Sequence, residues 1–234
     1  MTNKVFQSFY LAIIGHNLHI DYFNSEDENS HHKKKYLMPD TLDDNLNLTI
    51  LTKFILEKVK DFEKDVGGFI EKVNVITDAK YDQFSLSLKN KYNSNQINET
   101  DVVRLISDAK QFIMRNNKNC FILHVLVDKF IIDDKEYFEF PENLDYEEFI
   151  IQVSFITVSN SIIKILNRVL KDCNIEVQKF ISHQYSSRFA NYNDTSPCIA
   201  AKKVNDGINP LEVKIHNPKA KKQGLFEKMF NFFN

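Results

Sequence analysis

The sequence predicts an α+β fold ending in a short amphipathic helix. Apolar residues recur at helical spacing in some windows and alternate with polar ones in others, which separates helices from strands. The connections between Asn98 and Ile181 are short, as expected of one compact unit. A chain of 234 residues with 43% hydrophobic residues and a net charge of −2 can bury a substantial core, so general disorder is excluded.

Residues 5–23 read as two strands around a turn at Gly15, His16 and Asn17: a β-branched and aromatic run precedes alternating Leu18, Ile20 and Tyr22. Residues 24–36, with Glu26, Asp27 and Glu28 before His31 to Lys35, read as a solvated loop. From about Asn47 to Val66 a helix carries Leu51, Ile55, Val59, Phe62 and Val66 on one stripe. Gly67-Gly68 suits its left-handed cap. Ile70 to Ile76 suggests a short strand, followed by a polar stretch through Asn98.

Asn98 then caps a helix running to about Arg115, with Asp101 in its first turn and Ile97 stapled against Val102. Its inward face is Val102, Leu105, Ile106, Ala109, Phe112 and Ile113. Phe121 to Ile132 is a long strand ending at the turn Asp133-Asp134, and Phe149 to Phe155 alternates as a second. Ser159 or Asn160 opens a helix with Ile162, Ile165, Leu166, Val169, Leu170 and Cys173 inward. Asn174 stops it, and Ile175 to Ile181 forms a last strand. Residues 185–218 lose periodicity and read as a linker or extension.

Composition excludes several function classes. Lys+Arg total 30 against 32 Asp+Glu, and the only arginines are Arg104, Arg115, Arg168 and Arg188, so no nucleic-acid partner is expected. Five Gly leave no Gly-rich catalytic scaffold. Cys120, Cys173 and Cys198 form no C-x-x-C pair, which points to a reducing cytoplasm rather than a disulfide framework. No signal peptide is visible, and no apolar run reaches the roughly 18 residues of a spanning helix. Any membrane contact is therefore from one side.

The tail supplies such a contact. Leu225, Phe226, Met229, Phe230 and Phe233 recur at helical spacing, with Glu227, Lys228 and Asn231 opposite and Lys219, Lys221 and Lys222 just before. A two-turn helix is marginal in water. It gains order by laying its aromatic face into a membrane interface, its lysines toward anionic lipid headgroups. The competing reading packs the same face onto the folded body as a core helix.

Ile97 to Lys110, Ile122 to Asp134, Phe149 to Thr157 and Asn167 to Ser187 form, in that order, a series that resembles the inserted subdomain of the bacterial cell-division protein FtsA, an actin-like family. The tail resembles that family's C-terminal membrane-targeting helix. The resemblance implies a reduced actin-like N-terminal lobe over residues 1–96, the inserted subdomain over 97–184, a linker over 185–218 and a membrane-targeting helix over 219–234. It also implies division-machinery partners, FtsZ among them, together with anionic membrane lipid and self-association. The family's first phosphate hairpin would fall on Leu11 to Leu18, where only Gly15 matches. Ile13 stands in place of the acid and Leu18 in place of the lysine. No glycine follows Ser187 where the second phosphate loop belongs, and the family's second lobe, which docks FtsZ, is not expected. The expectation is a shortened relative with no cofactor and no ATP hydrolysis.

Other chemistry finds no constellation. His16, His19, His31 and His32 lack acidic or Cys partners at ligand spacing, so no metal site is expected. His124 reads as a satisfied sheet residue. Asp133, Asp134, Glu142, Asp145, Glu147 and Glu148 read as turn and strand-edge solvation, and Ser186-Ser187 has no nucleophile-elbow context. The leading expectation is a peripheral membrane adaptor of the division machinery acting by protein contacts. The alternative is a soluble regulatory or binding domain, and a small hydrolase ranks last.

Overall fold

Two strands, β1 (Gln7–Ile14) and β2 (Asn17–Asn24), form an antiparallel hairpin that starts the first of two sheets. Gly15 turns it with φ +53, a left-handed value that glycine adopts without a Cβ clash. The computed structural model describes residues 7–24, 31–39, 48–90, 99–141 and 144–213. β3 (His31–Leu37) pairs antiparallel with β2, while β4 (Lys72–Thr77) pairs parallel with β1. A further strand, β9 (Glu176–Ser182), pairs parallel with β4 and closes the order β3-β2-β1-β4-β9.

Alternation along β1 assigns its two faces. Phe9, Leu11 and Ile13 join Leu18, Ile20, Val73 and Val75 in the main core, whereas Tyr10 and Ala12 face the other way. The main core is covered by α1 (Leu48–Val66), which buries Leu51, Ile55, Val59 and Phe62, and by α3 (Asn160–Asp172), which buries Ile163, Leu166, Val169 and Leu170. Each such side chain contributes roughly 1.5–3 kcal/mol on burial. Gly67 ends α1 with φ +68, Asn174 follows α3 with φ +61, and the Ser159 side chain caps the start of α3.

The second sheet has the order β5-β8-β6-β7, from β5 (Tyr81–Lys89), β6 (Cys120–Ile132), β7 (Lys135–Tyr137) and β8 (Phe149–Ser159), all antiparallel. α2 (Glu99–Asn116) covers it with Leu105, Ile106, Ala109 and Ile113 against Val125, Val127, Ile151, Val153 and Phe155. Asp133 and Asp134 make the β6–β7 turn at φ +45 and +65. β6 and β8 are long enough to belong to both cores: their ends carry Leu123 and Val158 into the first.

The α+β class is the predicted one, but several elements differ. Residues 31–37 form a strand, not a solvated loop, because the edge of a sheet accepts charged side chains on both faces. The polar stretch before Asn98 contains β5, whose Phe84, Leu86 and Leu88 alternate with Gln83, Ser85 and Ser87. Phe112, expected inward, is 59% exposed. The strand expected to lie with residues 97–184 is β9, and it joins the first sheet beside β4, carried there by α3. The described part of the stretch expected as a linker or extension, residues 185–213, carries helical elements. α4 (His183–Ser186), a 3-10 turn at Ser187–Phe189 and α5 (Pro197–Asn205) follow β9 directly. Ser196 caps α5 and Pro197 occupies its first turn, while Cys198 and Ala201 bury against Tyr10, Ala12, Ile76 and Ile181. The capping residue Asn98 and the staple residue Ile97 lie outside the described residues.

Candidate functional site

Where the two sheets meet, a cleft of about 970 Å³ opens. One wall is β9, the edge strand of its sheet, through Val177, Gln178, Lys179 and Phe180. The start of β6 (Cys120 to Leu123), the C-terminal half of α2 at Lys110 and Met114, and Asn160 and Asn167 of α3 form the opposite side. The segment after α5, from Asp206 to Val213, closes the cleft. The side-chain amides of Asn74, Gln178, Asn205 and Asn209 line it together with the charged Lys110, Lys179, Asp206 and Glu212 and with apolar residues. The Asn205 and Asn209 amides are already bonded to Tyr10 and Tyr185.

A buried polar hub holds that closing segment in place. Val127 N–H donates to Leu211 O and Val213 N–H donates to Val125 O, each at 2.9 Å, so the segment adds a short antiparallel rung to β6. His124, 1% exposed in mid-β6, accepts the Ser182 N–H at Nε2 over 3.0 Å. That acceptance puts the proton on Nδ1, which lies 2.8 Å from Glu212 Oε1. Tyr185 Oη donates to Glu212 Oε2 at 3.0 Å and accepts from Asn209 Nδ2 at 3.0 Å. Lys179 Nζ lies 3.6 Å from Glu212 Oε1. Burial pushes the His124 pKa down despite the neighbouring carboxylate. Burial also opposes ionisation of Glu212, but the His124 hydrogen bond and the charges around it prevail and hold its pKa below the usual carboxylate range. The hub binds β6, β9, α4 and the closing segment together. Both ring nitrogens of His124 are engaged in it.

The hairpin expected to resemble a phosphate loop is also engaged. Gly15 N–H donates to Asp78 Oδ2 at 2.6 Å, so a carboxylate of this chain occupies the direction from which a turn amide would meet a phosphate. His183 sits near Asp78, its pKa lowered by burial.

The residues singled out in the sequence are dispersed. His16 is exposed in the hairpin turn and His19 is half-buried. His31 is not in a loop: it opens β3 and contacts the fully buried Asp21 carboxylate at 2.6 Å, stacked on Phe23. Among the described residues no group of three or more His, Cys, Asp or Glu is placed to hold a metal. Asp133 Oδ1 accepts the N–H groups of Glu147 and Glu148, a turn role rather than a paired-acid one. Ser186 is buried and donates to His183 O. Lys219, Lys221, Lys222, Leu225, Phe226, Lys228, Met229, Phe230 and Phe233, together with Glu142, lie outside the described residues. Among the described residues no helix is long and apolar enough to cross a membrane. Sequence reasoning missed Glu212, Tyr185, Asn209 and Lys179. A lone acid after Pro210 was the one available signal, and only chain closure brings it to His124.

No family model and no curated protein matches this chain. Solved structures are similar to it in chain path. One, described as the PilM-PilN type IV pilus biogenesis complex, aligns at TM-score 0.48 and 8% identity over 79% of this chain and 49% of that one. The cytoplasmic domain of EpsL, an inner membrane component of the type II secretion system of Vibrio cholerae, aligns at 0.35 and 10% over 77% and 57%. A protein of Bacteroides thetaiotaomicron with an actin-like ATPase fold and unknown function aligns at 0.36 and 14% over 78% and 56%. The chain spans about half the length of these structures.

Proposed function

We propose that this chain is a non-enzymatic adaptor, a reduced FtsA-like lobe that receives an extended segment of a partner protein in the inter-sheet cleft. Residues 219–234 hold it to the inner face of the membrane, and its partners belong to an assembly such as the division machinery. The cleft carries the reading. An open strand edge supplies backbone groups in register for strand addition, and the exposed Gln178 amide on that edge suits a peptide group. The Asp78 carboxylate on Gly15 supports a role without nucleotide.

Gln178 is exposed on the β9 wall. A photoreactive residue placed there in the native cell is expected to crosslink to one discrete segment of one protein. The same residue at Tyr192, fully exposed and outside the cleft lining, serves as the control. Equal crosslinking from both positions, or none from Gln178, removes the cleft reading.

A further inference from the structure

We propose that two copies of this chain join edge to edge through β5, antiparallel and with a two-fold axis at Leu86. This surface is separate from the cleft. β5 is nine residues long and pairs with β8 alone among the described residues, so one side of it presents unpaired backbone N–H and C=O groups. Natural edges are blunted by lysines, prolines, bulges or shortness. Two of the other terminal strands are guarded in these ways: β3 carries Lys33, Lys34 and Lys35, and β7 has three residues, while the third, β9, is the wall of the cleft. β5 has no proline, its ladder with β8 runs without a register shift, and its charges, Asp82 and Lys89, stand at its two ends.

Its side chains select a second copy. Phe84, Leu86 and Leu88 share one face and pack only partly against the core under α2. Antiparallel pairing about Leu86 sets Leu86 opposite itself and Phe84 opposite the second copy's Leu88, continuing that apolar row across the boundary. On the outer face Ser85 meets the second copy's Ser87. The acidic end of each strand lies beside the lysine end of the other, whereas parallel pairing would put lysine beside lysine. The product is a continuous eight-stranded sheet from two four-stranded ones.

Sedimentation velocity of the full chain in lipid-free buffer, across a hundredfold concentration range, tests the proposal. The parent is expected to convert from monomer to dimer. Ser85→Lys/Ser87→Lys puts lysine opposite lysine, so dimerisation weakens at least tenfold. It also loses the 3.0 Å hydrogen bond between Ser85 Oγ and Ser154 Oγ, a loss shared by the next variant, which serves as its stability control. Ser85→Lys/Ser87→Glu puts opposite charges face to face in this register and restores the dimer. A parent that stays monomeric, or a double-lysine variant that dimerises like the parent, overturns the proposal. A Lys/Glu variant as weak as the double-lysine one overturns the register.

Discussion

Nδ1 of His124 lies 2.8 Å from Oε1 of Glu212 across 88 positions of sequence, and this contact fastens the last described segment to the middle of the second sheet. Because Nε2 accepts the Ser182 N–H, the imidazole is neutral in the folded state. Protonation would turn that acceptor into a donor facing a donor.

Acid should therefore loosen this junction. The folded-state pKa of His124 is below its ordinary 6.5, so the unfolded chain binds the proton more readily. The stabilisation is fully present above that ordinary value and is lost as pH falls below it. Glu212, whose pKa is also lowered, adds a loss in the same direction below its ordinary 4.5. Melting temperature should fall between about pH 7.5 and 5.5, and His124→Gln, though less stable at the upper end, should fall less. Parallel curves for parent and variant would contradict this assignment.

Tyr185 tests the hub without charge. Tyr185→Phe removes the donor to Glu212 Oε2 and the acceptor for Asn209, leaving a part-buried carboxylate short of one hydrogen bond. Denaturant unfolding should show a loss of about 1–3 kcal/mol. Tyr192→Phe, at a fully exposed ring, should show no change.

What was legible follows from these contacts. α1 and α3 were readable because each writes a single apolar stripe, and Asn174 because few residues other than glycine tolerate φ +61. β3 and β5 were not, because an edge strand has one neighbour and its side chains remain half solvated, which lowers the hydrophobic signal. The sheet that β9 joins was illegible for another reason. Its apolar pattern fits either sheet, and only the packing of α3 on α1 decides that it lies beside β4. α5 buries small residues, Cys198, Ala200 and Ala201, which give a weak stripe inside a polar stretch. Glu212 gains meaning only from His124, Tyr185 and Lys179, none of them near it in sequence.

Nucleotide binding should be absent. Gly15 N–H is held by Asp78, and Ile13 and Leu18 supply neither a metal-supporting acid nor a phosphate-binding lysine. Calorimetry with Mg-ATP should show no heat of binding, and Asp78→Ala, which frees the amide, should not create any. A micromolar dissociation constant for either protein would defeat the non-enzymatic reading.

The tail should attach the chain to anionic vesicles. Phe230 stands mid-face between Phe226 and Phe233 in the sequence pattern, so Phe230→Glu forces a carboxylate either to stay hydrated, lifting the helix, or to enter an apolar layer unpaired. Cosedimentation should be abolished. Lys221→Gln and Lys222→Gln should weaken it by about 1 kcal/mol each, an effect that shrinks as salt screens the headgroups. The melting temperature of the lipid-free protein separates the two readings of the tail. If Phe230→Glu lowers it, and the parent does not bind vesicles, the aromatic face is packed on the body and membrane attachment is lost from the proposal. If the melting temperature is unchanged while binding disappears, the aromatic face works at the lipid surface and contributes nothing to the fold.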